Sequence, residues 1–122
     1  MAREIDLPTH QDARGSLTVI EGLLPFAVAR VYYMYGCDGS SRGGHRHRKT
    51  WQALVCVHGR CTVEWENEVA SGSVNLADPR TLLLLEPQDW HAMRDFSSEA
   101  VLLVLASEKY DPDDYVDERY HR

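Results

Sequence analysis

The sequence predicts an all-β fold, an antiparallel barrel or jelly roll, and three observations carry that prediction. Short runs alternate apolar and polar residues, the period of a half-buried strand. About eight such runs recur at steady spacing between Gly, Pro, Asn and Asp turn signals. The only helix-start pattern lies near the C-terminus, so one late, short helix is expected beside the strands. The chain of 122 residues fits one domain, residues 1–122, large enough to enclose a core.

Taken in order, residues 1–15 carry Asp6, Pro8, Asp12 and Gly15 and read as an irregular arm with a turn. Residues 16–20 alternate and form a strand. Pro25 then opens a longer one over residues 26–35. One of its faces holds Phe26, Val28, Arg30, Tyr32 and Met34. If that face looks inward, Arg30 and Tyr32 require a cavity and not a wholly apolar core. Residues 36–44 are a loop rich in Gly, Ser and Asp.

Residues 42–59 are the most informative stretch. Gly43 and Gly44 permit a bend or a close backbone approach. His45 and His47, two apart, point to one face of a strand. HxH by itself fits a solvated pair as well as two imidazoles presented from a barrel wall. Residues 52–57 are a short apolar run, and Gly59 ends it where a hairpin is expected to turn. The odd interval from His47 to Gln52 calls for a bulge between Arg48 and Trp51 to return Gln52 to the same interior.

Cys61, Val63 and Trp65 alternate with Thr62, Glu64 and Glu66 in a half-buried strand. Asn67 turns the chain into a weaker strand, residues 69–76, interrupted by Gly72. Asp78-Pro79-Arg80 is a turn. Residues 81–86 are nearly all leucine, which suits a strand buried on both faces or at an interface. Residues 87–93 return a third histidine, His91, toward the middle, and residues 101–106 form the last strong strand. Asp111-Pro112-Asp113-Asp114 supplies a cap, a proline at the first helical position and first-turn acids, predicting a helix to about Tyr120.

The net charge of −6 argues against general nucleic-acid binding. Arg42, Arg46, Arg48 and Lys49 nevertheless bracket the two histidines, while acids collect near the C-terminus. A basic cluster in an acidic chain suggests an anionic ligand; a solvated charge run is the plainer alternative. Cys37, Cys56 and Cys61 are odd in number without CxxC spacing, which predicts reduced thiols and a cytoplasmic protein. Cys56 and Cys61 flank the expected turn and read as buried. The charged start and short apolar runs predict neither a signal peptide nor a membrane span.

HxH, Gln52 and Gly59, followed about thirty residues later by Pro87 and His91, resemble the two-motif arrangement of the cupin superfamily. Asp12-Ala-Arg-Gly-Ser-Leu, Arg30-Val-Tyr-Tyr, Arg42-Gly-Gly-His-Arg-His-Arg-Lys, Trp90-His-Ala-Met, Asp95-Phe-Ser-Ser and Tyr110-Asp-Pro-Asp-Asp-Tyr sharpen this. Together they resemble the WxcM-like and FdtA-like sugar-nucleotide 3,4-ketoisomerases over nearly the whole chain. Arg46 and Arg48 depart from the common His-Ala-His-Lys form, and the loop before Arg42 is slightly shorter.

The resemblance implies a cupin-type jelly roll that isomerises dTDP-4-keto-6-deoxyglucose to a 3-keto isomer without metal or other cofactor. It also implies a homodimer with exchanged N-terminal strands. His45 is then the base, Tyr32 stands beside it, and His47 orients or shuttles. Arg42 and Arg30 suit the diphosphate or sugar, because a guanidinium matches phosphate oxygens bidentately. Gln52, His91, Trp90 and Lys49 complete the expected substrate-binding set; Trp90 and Trp51 suit either base stacking or core packing. Gln52 stands where metal-binding cupins carry Glu, and it is a poor ligand. The competing readings are a metal-dependent dioxygenase using His45, His47 and His91, a non-catalytic sugar-nucleotide binder, and a 3,5-epimerase.

Overall fold

Period-two alternation gives every strand one face for a core, and two five-stranded antiparallel sheets turn those faces toward each other. The computed structural model describes residues 1–120. Along them run β1 (Arg3–Asp6), β2 (Thr9–Asp12), β3 (Gly15–Thr18), β4 (Arg30–Tyr35), β5 (Arg42–His47) and β6 (Gln52–His58). β7 (Cys61–Glu66), β8 (Ser71–Leu76), β9 (Thr81–Leu85), β10 (Trp90–Arg94), β11 (Val101–Ala106) and β12 (Tyr115–Val116) follow. One sheet has the order β1-β9-β6-β11-β4, the other β12-β5-β10-β7-β8, and β2 and β3 form a two-stranded sheet of their own. This is the antiparallel jelly roll expected from the pattern.

Between the sheets, Met34, Leu54, Leu83, Leu85, Leu102 and Val104 of the first meet Cys61, Val63, Leu76 and Met93 of the second. Burying such a side chain contributes roughly 1.5–3 kcal/mol. A second cluster lies on the outer face of the first sheet. There Ala53, Val55, Leu82 and Leu84 are covered by Ile5, Ile20, Leu23, Leu24 and Phe26. The leucine strand β9 is thus buried on both faces within one chain, between β1 and β6. Those leucines are not available to an interface.

Several expectations need correction. The predicted C-terminal helix is one 3-10 turn, Pro112–Asp114, capped by Asp111 as read, and the chain then extends into β12. β12 gains a ladder with β5 (Tyr115 opposite His47), and a continuing helix would forfeit it. Residues 1–15 are not all irregular arm: β1 pairs with β9 and β2 with β3. The strand expected from Phe26 begins at Arg30, because residues 20–26 are used to cover the outer apolar cluster.

Gly59 does not close a hairpin. β6 and β7 lie in different sheets, and residues 59–60 carry the chain across. Gly59 has φ +71°, and a Cβ there would come within 2.8 Å of Ala100 Cα, so glycine is required on both counts. The bulge expected between Arg48 and Trp51 is likewise a crossing: β5 ends in one sheet and β6 begins in the other. Gln52 reaches the shared interior from the opposite wall.

Candidate active site

β5 and β10 build one wall. Their pairing places His45 opposite His91, and the register shifts between His91 and Ala92. Gly43 makes this fit: at φ +79°, a Cβ would stand 3.1 Å from the His91 carbonyl oxygen and from Met93 Sδ. The three rings gather as a result, with centroids 5.1 Å apart for His45–His47, 5.3 Å for His45–His91 and 6.1 Å for His47–His91. Tyr115 on β12 packs edgewise on His45 and His47, at 4.6 and 4.8 Å.

The opposite wall carries Tyr32 on β4 and Gln52 on β6. Gln52 Nε2 donates to the Tyr32 hydroxyl at 3.0 Å, leaving the phenol's own proton free to point elsewhere. The Arg30 guanidinium lies 4.5 Å over the Tyr32 ring and 5.3 Å from that of Tyr110. Arg30 and Tyr32 therefore face inward, as the alternation predicted, while Val31, Tyr33 and Tyr35 of the same strand are exposed. Burial pushes the Tyr32 phenol up, and the charges of Arg30 and Arg42 oppose it. At neutral pH Tyr32 is a proton donor. Arg42 lies at the exposed start of β5.

Electrostatics divide the histidines. Burial, then the neighbouring His47, lowers His45 to about 4. Burial lowers the fully enclosed His91 to about 3, and its Nδ1 is fixed 3.0 Å from the Asp89 carbonyl. His47 is also lowered by burial, but Asp114 works against that. His47 Nδ1 lies 2.9 Å from Asp114 Oδ2, so it carries the proton and donates. Asp114 is buried and also accepts from the backbone N–H of Arg48 and Lys49, at 3.1 and 2.8 Å, and from the Thr50 hydroxyl. Burial raises the carboxyl, but these bonds together hold it below the usual range.

Three of the four cations of the basic cluster find partners within the chain. Lys49 Nζ pairs with Asp111 at 3.3 Å, Arg48 Nε donates to the Asp113 carbonyl, and Arg46 Nε donates to the Glu118 carbonyl. Arg46 also stacks 4.6 Å over Tyr120. The partner expected to be a ligand is, for these three residues, the C-terminal strap. Arg30 remains directed to the site, over the Tyr32 ring. Under the strap, Arg30, His47, Gln52 and Tyr110 bound a space of about 10 Å³, room for one water.

Of the expected residues, the structure gathers His45, His47, His91, Tyr32, Gln52 and Arg30, with Arg42 at the rim. It does not bring Trp90 to them. Trp90 is on the other face of β10 from its neighbour His91, donates to the Asp117 carbonyl and lies 4.0 Å under Arg119. Strict alternation from His91 would have shown this. Trp51 packs in the outer cluster. Asp114, Thr50 and Tyr115 were missed. The acidic run around Asp114 reads as a solvated cap, and only the strap's docking buries one carboxylate of three.

The ring nitrogens of the three histidines lie within 4.8 Å of one another, so the cluster fits a metal ion as far as imidazoles alone decide it. Gln52 adds no anionic ligand, and its amide N–H₂ is turned to Tyr32.

A jelly roll that sets buried imidazoles on one wall against a phenol on the other has the build of a cupin-type enzyme. Residues 2–121 match the family model described as FdtA, WxcM-like, C-terminal, and the chain belongs to that family. It is 43% identical over 108 residues to the TDP-4-oxo-6-deoxy-alpha-D-glucose-3,4-oxoisomerase of Aneurinibacillus thermoaerophilus, covering 86% of this chain and 78% of the relative. QdtA, a sugar 3,4-ketoisomerase from Thermoanaerobacterium thermosaccharolyticum solved in complex with TDP, is 38% identical with a TM-score of 0.90, over 96% of this chain and 88% of that one. The WlaRB TDP-quinovose 3,4-ketoisomerase of Campylobacter jejuni is 32% identical with a TM-score of 0.91, over 96% and 92%.

Proposed function

We propose that residues 1–122 form one domain that moves the keto group of a dTDP-linked 4-keto-6-deoxyhexose from C4 to C3. The observation that carries this reading is the opposition of a neutral histidine cluster and a protonated phenol across one interior. The relatives named for TDP-sugar isomerisation support it.

The chemistry needs a base for the C3 proton, which the C4 ketone acidifies. The electron pair left at C3 forms the enediol, a proton is delivered to C4, and hydroxyl protons exchange between O3 and O4. His45 is the base: it is neutral at pH 7 and, of the three rings, the least enclosed. Protonating it adds charge to a site that already disfavours charge. Asp117 offsets part of that, and Asp114 holds negative charge behind the adjoining His47. Tyr32 donates to the oxygen that becomes negative, a bond that strengthens only as the enediolate forms. His47, its tautomer fixed by Asp114, shuttles and orients. Arg42 and Arg30 take the diphosphate or sugar, with Gln52 and His91 completing the pocket. No metal is required by any of these steps.

We also propose a cytoplasmic homodimer. Free, buried cysteines suit a reducing compartment, and among the described residues no helix is long and apolar enough to cross a membrane. An exposed apolar row, Val31, Tyr33 and Tyr35 on the edge strand β4, supports a second copy. In an exchanged dimer β1 would keep the register it has on β9 here, supplied by the partner.

The direct test is incubation with dTDP-4-keto-6-deoxyglucose in deuterated water, followed by NMR. The expected result is a 3-keto product, formed equally by EDTA-treated protein. Unchanged substrate after prolonged incubation overturns the assignment.

A further inference from the structure

Arg30 is held by rings and by no anion. Its guanidinium lies 4.5 Å over the Tyr32 ring and 5.3 Å from the Tyr110 ring. It pairs with no carboxylate among the described residues. A guanidinium stacks through its faces and donates from its edge, so this packing leaves N–H groups for phosphate oxygens. The contacts run from Tyr32 through Arg30 to Tyr110, from the interior out to the surface. A sugar nucleotide carries its parts in a matching order: hexose, diphosphate, nucleoside.

The last of these places needs a surface for a base. Trp90 and Trp51, the rings expected to meet one, pack elsewhere. Tyr110 is 64% exposed, on the segment that leads from β11 to the 3-10 turn. The other strongly exposed tyrosines, Tyr33 and Tyr35, stand on the far face of β4 from Tyr32. Tyr110 also meets Tyr115 at 5.9 Å, tilted by 56°, and Tyr115 in turn lies 4.6 Å from His45. This one exposed ring is thus tied to both walls, to Arg30 on one and to Tyr115 on the other. A ring open to solvent beside an arginine without an anion has the make-up of a stacking platform for a base.

We propose that Tyr110 is the nucleobase platform of the site. The thymine of a dTDP-linked substrate stacks on its ring, and Arg30 takes the diphosphate between base and sugar. The inference deepens the isomerase reading and rests on it for the identity of the nucleotide. Every base has a π-face, so Tyr110 supplies affinity and not the choice of base.

The test uses the full chain. Calorimetry compares dTDP with the abasic deoxyribosyl diphosphate, and NOEs are recorded between the thymine methyl of bound dTDP and isotope-labelled tyrosine rings. A stacked base is worth about 5- to 150-fold in affinity by alanine substitution. Tyr110→Ala should weaken dTDP by that order and leave the abasic ligand unchanged, and Tyr110→Phe, which keeps the ring, should restore dTDP binding. The thymine methyl should show NOEs to a labelled ring that disappear in Tyr110→Phe. Equal loss of both ligands in Tyr110→Ala overturns the platform and leaves Tyr110 a prop for Arg30. Full-strength dTDP binding by Tyr110→Ala, or thymine NOEs that survive in Tyr110→Phe, also overturns it. In each of these cases 3-keto product formed by the unsubstituted chain keeps the isomerase reading. A chain that neither binds dTDP nor isomerises its sugar overturns both.

Discussion

His45 and His47 leave the same strand toward the same interior, yet their surroundings differ. On the His47 side the chain has closed on itself: Asp114, Thr50, two backbone amides and the strap's charges fix one imidazole and one carboxylate. On the His45 side the packing is by rings, those of His47, His91 and Tyr115, and His45 is left half-buried and approachable. In the proposed reaction two identical side chains thus receive different tasks from what packs around them: one holds charge and geometry, the other meets the substrate. Removing the open side should cost turnover, and removing the closed side should cost stability along with it.

The largest effect is expected from His45→Asn, which keeps a polar group but no usable base. A placed general base is worth ~10²- to 10⁴-fold, so kcat should fall by that order while calorimetry shows dTDP binding retained. If this variant stays active and His47→Asn is dead, the two histidines have been given each other's roles. Tyr32→Phe comes next. Losing one donor to a developing oxyanion costs about 10²- to 10³-fold in kcat, and KM should move much less.

Asp114→Asn tests the closed side. A hydrogen bond to a charged group contributes ~1.5–3 kcal/mol, so the urea midpoint should drop and kcat should drop with it. A kcat loss with an unchanged midpoint would show that Asp114 does not hold the strap. Acidification probes the whole cluster. His45 and His91, near 4 and 3 in the folded protein, sit below the ~6.5 of an unfolded histidine. As pH falls below about 6.5 the unfolded chain takes up protons first, so stability declines from there toward pH 4. Urea midpoints at pH 7 and pH 5 should show it, with a shallower slope in His91→Asn. The smallest contrast is between two cations. Arg42→Ala should raise KM with kcat near normal. Lys49→Ala, removing an exposed pair with Asp111, should change stability by no more than about 1 kcal/mol and leave KM alone. A raised KM in Lys49→Ala would return that residue to the substrate.

The strands were legible wherever alternation or an unbroken apolar run was strong. Residues 52–57, 61–66, 81–86 and 101–106 became β6, β7, β9 and β11 almost to their bounds. The inward face of Arg30, Tyr32 and Met34 followed from the same period. His45, His47, Gln52 and His91 were legible as a set from their spacing, and the family resemblance gave them chemistry. The misreadings share one cause. Sequence neighbours were assigned to one hairpin at Gly59 and to one bulged strand at residues 48–51, when the chain crosses between sheets at both. A turn residue specifies its own backbone angles and not which sheet receives the next strand.

By itself the sequence determined an antiparallel all-β chain and which side chains share a strand face, His45 with His47 and Arg30 with Tyr32, because a period of two is a local property. Only the tertiary structure decided that Arg46, Arg48 and Lys49 grip the chain's own C-terminal strap and that Asp114 stands behind His47. Those pairings join residues some 65 positions apart. Charge and polarity state what a side chain can bind, and only the packed chain fixes which partner reaches it first.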